Sequence, residues 1–187
     1  MGKLIEIRWH GRGGQGAVTA AQILAEAAYL EGYKGVQAFP YFGAERRGAP
    51  IMAFTRISDE EIRVRSQIYN PDFVVVLDAT LVGLMKVNEG LKEGGTLIIN
   101  SSKKSDELRI KGNFRIYTTD VTTVAQELGL IVAGIPVLNT PILGAFSKIT
   151  GLVSLETLTK IIGKKWHGEI GKRNAEAAKL TFQKTLC

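Results

Sequence analysis

The sequence predicts an α/β fold: one domain over residues 1–187, three layers deep, with helices on both faces of a mixed, mainly parallel sheet and a helical C-terminal part. Three observations predict it. A short apolar run, Leu4–Trp9, leads through a glycine-rich turn into a long apolar, proline-free stretch from Ala17. Two continuous apolar runs, Phe73–Leu77 and Thr96–Asn100, read as strands covered on both faces, as in a parallel sheet. Finally, Ile51–Ile57 and Ile62–Ile68 flank Ser58-Asp59-Glu60-Glu61, a polar connection of hairpin length, so one pairing is expected to be antiparallel.

The first unit is strand, glycine loop, helix. Gly11, Gly13 and Gly16 fit G-x-G-x-x-G, a spacing that permits a tight turn, close approach of a ligand to backbone, and packing of helix on strand. This makes the domain Rossmann-like. The helix from Ala17 to Leu30 presents its free N–H groups and positive dipole end to the loop Gly11-Arg12-Gly13-Gly14-Gln15-Gly16, an arrangement suited to phosphate or carboxylate, and Arg12 adds positive charge. Close packing alone also accounts for the glycines. A nicotinamide dinucleotide is disfavoured. The second strand, Gly35–Phe39, ends in Pro40-Tyr41 without the acid that would hold a ribose.

Pro40 to Pro50 follows that strand. It carries Tyr41-Phe42-Gly43-Ala44-Glu45-Arg46-Arg47-Gly48. Ligands of open α/β sheets bind beyond the C-terminal strand ends, so this loop and the glycine loop are expected on one rim, with Arg46 and Arg47 as candidate anion contacts. The alternative is a surface turn in which Glu45 pairs with an arginine. Asp78, at the end of Phe73–Leu77, reads as the cap of a helix running to about Asn88. Asp72 and Asp78 lie at opposite ends of one strand and form no carboxylate pair. Phe114–Tyr117 is a further strand and Thr119–Leu128 a helix. Asn139 is expected to cap a helix with Pro141 in its first turn, Ser154 to cap the next, and Glu169–Leu186 to form the last.

Composition excludes several classes. Cys187 is the single cysteine and His10 and His167 the two histidines, so no thiolate set for an iron–sulfur cluster or zinc is expected, and no metal site. No apolar run is long enough to span a membrane and no signal peptide is evident, which makes the cytoplasm the default. The net charge of +6 is spread among interleaved acids, without a nucleic-acid motif. A solvated surface explains it, and an acidic partner subunit or a phosphorylated cofactor comes next. Neither a G-x-S-x-G elbow, nor H-E-x-x-H, nor a P-loop is present, and no catalytic set stands out.

Three stretches together carry a resemblance: Gly11-Arg12-Gly13-Gly14-Gln15-Gly16, Tyr41-Phe42-Gly43-Ala44-Glu45-Arg46-Arg47-Gly48, and Asn139-Thr140-Pro141-Ile142-Leu143-Gly144. In order and interval the chain resembles the gamma subunits of 2-oxoacid:ferredoxin oxidoreductases, and among them the pyruvate-specific branch, the pyruvate synthases. Ala44 and Ala49 stand where that family usually has proline and glycine. The resemblance implies an enzyme that converts pyruvate, coenzyme A and oxidised ferredoxin to acetyl-CoA, CO2 and reduced ferredoxin. It implies alpha, beta and delta partner subunits, with thiamine diphosphate and 4Fe–4S clusters in those partners. It further implies a coenzyme A contact through Gly11, Arg12, Gly13, Gly14, Gln15, Gly16, Arg46, Arg47 and Asn139, and an isolated chain without activity. A branched-chain or indolepyruvate enzyme, a stand-alone nucleotide-binding module and a purely structural subunit are the alternatives.

Overall fold

The computed structural model describes residues 3–41 and 47–186. Its central sheet is built from β1 (Leu4–Arg12), β2 (Gly35–Pro40), β3 (Pro50–Ser58), β4 (Phe73–Val76), β5 (Thr96–Asn100) and β6 (Arg115–Thr119), in the spatial order β2-β3-β1-β4-β5-β6. β1, β4, β5 and β6 pair in parallel, whereas β3 runs antiparallel to both β1 and β2. The sheet is therefore mixed, with β3 the reversed strand. Helices are α1 (Ala17–Leu30), α2 (Leu81–Leu84), α3 (Val121–Glu127), α4 (Asn139–Thr150), α5 (Leu155–Lys165) and α6 (Gly168–Lys184). Ser105–Leu108 forms a 3-10 turn, and β7 (Ile131–Val132) pairs with β8 (Ile135–Pro136) in a small separate hairpin.

The alternation of β1 sorts the two faces. Ile5, Ile7 and Trp9 point into the larger core, against α1, α3, α4, α5 and α6. Trp9 is fully buried; its ring packs 5.7 Å from that of Phe146, and its Nε1–H donates to Thr55 Oγ1 at 3.0 Å. The opposite face is thinner. Val74, Val76, Leu97 and Ile99 are covered there by Leu81, Val87 and the stretch around Leu108. Beneath β1 and β3 that face is polar, with Arg8, His10 and Arg56 buried.

Those buried arginines explain two departures from the sequence reading. Ile62–Ile68 is not a strand. Both edges of β3 are already occupied, by β1 and β2, so no ladder is open to it. Arg56 instead donates to the carbonyls of Val64, Ser66 and Gln67 and to Glu6 Oε1, and so holds the stretch across the sheet. The antiparallel partner of β3 on its outer side is β2. Likewise the helix after Asp78 stops at Leu84 rather than near Asn88. The Arg8 guanidinium donates to the carbonyls of Val87 and Glu89, and so pins that stretch against β1 in place of a further helical turn.

At the C-terminal end Ser154 caps α5 as expected, its Oγ accepting from the Thr157 N–H. Asn139 is not the cap of α4. That position is Leu138, and the side-chain Oδ1 of Asn139 accepts from the Thr140 N–H at 2.7 Å. The Asn139–Gly144 motif fastens α4 to α6: Thr140 Oγ1 donates to Asn174 Oδ1 at 2.9 Å, and Gly144 lies directly on the Ala178 carbonyl.

Candidate functional site

β1 continues past Trp9 to Arg12 because His10, Gly11 and Arg12 pair with Met52, Ile51 and Pro50. The chain then turns. Gly13 N–H donates to the Ala49 carbonyl at 2.9 Å, Gly48 N–H donates to the Gly13 carbonyl at 3.0 Å, and an isolated bridge joins Gly13 to Arg47. The glycine loop and the Arg47 loop therefore share one rim, at the C-terminal ends of β1 and β4. Arg47 is exposed and makes no side-chain hydrogen bond or ion pair among the described residues. Arg46 and the rest of Phe42–Arg46 lie outside the described residues.

Arg12 is held within the fold. Its Nε–H donates to Asp78 Oδ2 at 2.8 Å, one terminal nitrogen donates to the Gly48 carbonyl at 3.1 Å, and the other to Thr80 Oγ1 at 2.9 Å. Gln15 completes the joint: Oε1 accepts from the Arg12 N–H at 2.8 Å, and Nε2 donates to Asp78 Oδ2 at 3.3 Å. Burial pushes the Asp78 carboxyl up. The hydroxyl and N–H of Thr80, then Arg12 by hydrogen bond and charge, outweigh this and hold its pKa below the ordinary value. The N-cap of α2 is Thr80 and not Asp78, whose carboxylate instead accepts from the Thr80 N–H and hydroxyl and from Arg12, so both residues belong to the rim. The available signal was position, an acid ending a continuous apolar strand.

Gly16 is the N-cap of α1, left-handed at φ 91°. A Cβ there would meet Asn139 Cβ at 2.9 Å, so Asn139 closes the loop from the α4 side. Leu138 N–H donates to the Gln15 carbonyl at 2.9 Å, which ties the start of α4 to the same loop. Within the loop the Gly13 and Gln15 N–H groups are consumed, by Ala49 and by Arg12. Those of Gly14 and Gly16 donate to no acceptor among the described residues. Gly14 is exposed at the top of the rim, beside Ile135 of the β7–β8 hairpin, which sequence reasoning missed. A cleft of about 440 Å³ opens next to it, between Gln15, Asp78, Thr80, Asn100 and Leu138.

Residues 6–184 match the family described as pyruvate ferredoxin/flavodoxin oxidoreductase. The chain belongs to that family. It is 54% identical over 186 residues to the pyruvate/ketoisovalerate oxidoreductases common subunit gamma of Thermococcus litoralis, with 98% of each chain covered. It is 54% identical over 181 residues to the pyruvate synthase subunit PorC of Methanothermobacter marburgensis, covering 97% of each. Among solved structures, the pyruvate oxidoreductase subunit PORC of Thermotoga maritima superposes with a TM-score of 0.84 at 42% identity, over 98% of both chains. A 2-oxoglutarate:ferredoxin oxidoreductase from Magnetococcus marinus, solved with 2-oxoglutarate, coenzyme A and succinyl-CoA bound, shares the fold at a TM-score of 0.75 and 22% identity. There the match spans 97% of this chain and 31% of the other.

Relatives within this oxidoreductase family are thus subunits of larger enzymes, and among the described residues the rim carries no acid–base pair. Among the described residues no group of three or more His, Cys, Asp or Glu side chains is placed to hold a metal ion, and no helix is long and apolar enough to cross a membrane.

Proposed function

We propose that the chain is the gamma subunit of a pyruvate:ferredoxin oxidoreductase and that its rim faces coenzyme A in the assembled enzyme. The alpha and beta subunits hold thiamine diphosphate, where pyruvate is decarboxylated. A delta subunit carries 4Fe–4S clusters from which electrons pass to ferredoxin. The gamma chain binds and orients the acyl acceptor. Identity above 50% to pyruvate synthase subunits over nearly the whole chain supports the first part. For the second, the carrying observation is the Gly13–Arg47 bridge, which brings Arg47, whose side chain has no partner among the described residues, to the loop where the Gly14 and Gly16 N–H groups donate to no acceptor among them. Cation and N–H donors on a helix-start loop suit a phosphate group.

Arg12 takes a different part. Its charge is balanced by Asp78, so it shapes the rim, and Arg47, with Arg46, meets the ligand. A charge-assisted hydrogen bond is worth about 1.5–3 kcal/mol. Arg47→Ala in the assembled enzyme is therefore expected to raise the KM for coenzyme A about ten- to a hundredfold and to leave the KM for pyruvate unchanged. Arg46→Ala is measured separately. If both variants assemble normally and keep the parental response to coenzyme A, the gamma chain is a scaffold only.

A second reading concerns substrate range. The Thermococcus litoralis relative is a common subunit of pyruvate and ketoisovalerate oxidoreductases. The same gamma chain would then serve a branched-chain enzyme too, with the oxoacid chosen by the other subunits. Co-purification of the native complex tests this: two sets of partner subunits support it, and one set removes it.

A further inference from the structure

Arg12, Asp78 and Thr80 close a ring. The Arg12 Nε–H donates to Asp78 Oδ2, the Thr80 hydroxyl donates to Asp78 Oδ1 at 2.6 Å, and Arg12 Nη2 donates to that same hydroxyl oxygen. Two more donors reach the carboxylate, the Thr80 N–H at Oδ1 and Gln15 Nε2 at Oδ2. Each Asp78 oxygen thus accepts twice, which uses the acceptor positions a carboxylate has. The Arg12 and Asp78 side chains are 27% and 17% exposed, so this is not one of the freely solvated ion pairs that hold nothing in place.

A guanidinium is planar, and its N–H donors leave it in a fixed fork. With Nε and Nη2 both held in the ring, the direction of Nη1 is set. It points at the Gly48 carbonyl, 3.1 Å away. Gly48 follows Arg47 and is left-handed, at φ 77°. Its N–H donates to the Gly13 carbonyl, and the next carbonyl, of Ala49, accepts from the Gly13 N–H. Two backbone hydrogen bonds to Gly13 and one side-chain bond from Arg12 therefore join Arg47–Ala49 to the glycine loop. The side-chain bond depends on a residue of a third loop, Asp78, at the end of β4.

We propose that Asp78 is a positioning residue for coenzyme A: by fixing the Arg12 fork it sets the Gly48 carbonyl, and with it the loop from which Arg47 reaches the ligand. This rests on the rim being the coenzyme A face. The competing role for Asp78 is plain neutralisation, in which it cancels the Arg12 charge and weakens the pull of the rim on an anion. The two roles differ in sign. Asp78→Asn keeps the shape and removes the charge. Under neutralisation the rim gains a net positive charge, and coenzyme A binds more tightly. Under positioning a single amide oxygen faces four donors, the ring opens, and coenzyme A binds more weakly. Arg12→Lys separates the roles again, because it keeps the charge beside Asp78 and loses the fork.

Both variants are compared with the parental assembled enzyme. Calorimetry without pyruvate or ferredoxin gives the affinity for coenzyme A, and hydrogen exchange read by mass spectrometry follows the Gly13 and Gly48 N–H groups. Each variant is expected to weaken coenzyme A about three- to thirtyfold and to speed exchange at both glycines. Thr80→Ser, which keeps the hydroxyl of the ring, should match the parental enzyme in both readouts. Tighter binding in Asp78→Asn overturns the positioning role in favour of neutralisation. Unchanged exchange in both variants overturns it as well, since the loops then stay in place without the ring. Should Asp78→Asn fail to assemble, Arg12→Lys carries the test, and parental affinity in it overturns the role. Arg47→Ala is measured alongside to separate the two failures. If it weakens coenzyme A while Asp78→Asn exchanges faster at parental affinity, the rim is the ligand face and Asp78 does not position it. If it too leaves coenzyme A unchanged, the rim reading itself has failed, and the positioning role with it.

Discussion

His10 lies on β1 beside Arg8, whose Nε–H donates to His10 Nε2 at 3.0 Å. An accepting Nε2 requires a neutral ring with its hydrogen on Nδ1, and that Nδ1 is buried without a partner. Burial first, then the Arg8 charge, push the pKa down to about 3. In the unfolded chain a histidine takes up its proton near pH 6.5, so from there downward the unfolded state binds a proton that the folded state refuses. Stability is therefore full above about pH 6.5 and falls as pH drops towards 3, by about 1.4 kcal/mol per pH unit from this residue. Asp78 and Glu31, also held below their ordinary values, act in the same direction but only below about pH 4.5. Urea unfolding between pH 6 and 5 should show the slope, and His10→Gln, which can still accept from Arg8, should flatten it. An unchanged slope in that variant would mean His10 titrates normally. Arg12 shows what sequence conceals at this scale. It read as a free cation for a ligand, and nothing local reveals that Asp78, 66 residues later, arrives at 2.8 Å.

Elements with a strong local signal were legible to within a few residues. α1 and β5 fall where their apolar runs placed them, because helix-forming alanines without proline and a continuous β-branched run each leave few alternatives. Ile62–Ile68 alternates as a strand should, yet pairing is a property of the whole sheet, and β3 had no free edge. The β7–β8 hairpin, two residues a side, is too short for any periodicity to mark. The Asn139–Gly144 motif was legible as a helix start but not as a contact. Gly144 allows α4 to rest against the Ala178 carbonyl of α6, and any Cβ there would overlap that oxygen. Gly144→Ala must push the helices apart or distort them, at a cost of about 1–3 kcal/mol, readable as a lower Tm. Because the obstacle is backbone, adding Ala178→Gly should restore nothing. A Tm recovered by that second change would show that the side chains, not the carbonyl, set the spacing.

For the whole molecule, the paired signals carried the class: a glycine loop after one strand, and a second loop expected on the same rim. The Gly13–Arg47 bridge is their meeting point. What the sequence left open is the far side of that rim, since the cleft beside Gln15 and Asp78 exists only once β4 and β5 are set side by side. The same inventory fixes an expectation for the chain alone. Iron–sulfur clusters of the ferredoxin type are held by four thiolates, and this chain has one cysteine, Cys187. Among the described residues the rim offers cation and N–H donors but no acid–base pair for carbon–carbon cleavage, and Asp72 and Asp78, both paired, sit at opposite ends of β4. The purified chain, incubated with iron and sulfide, should therefore stay colourless and should not oxidise pyruvate. Adding the other subunits should restore both colour and turnover. A visible absorption band in the reconstituted chain alone, or pyruvate-dependent reduction of ferredoxin by it, would place chemistry in the gamma chain that its residues do not provide.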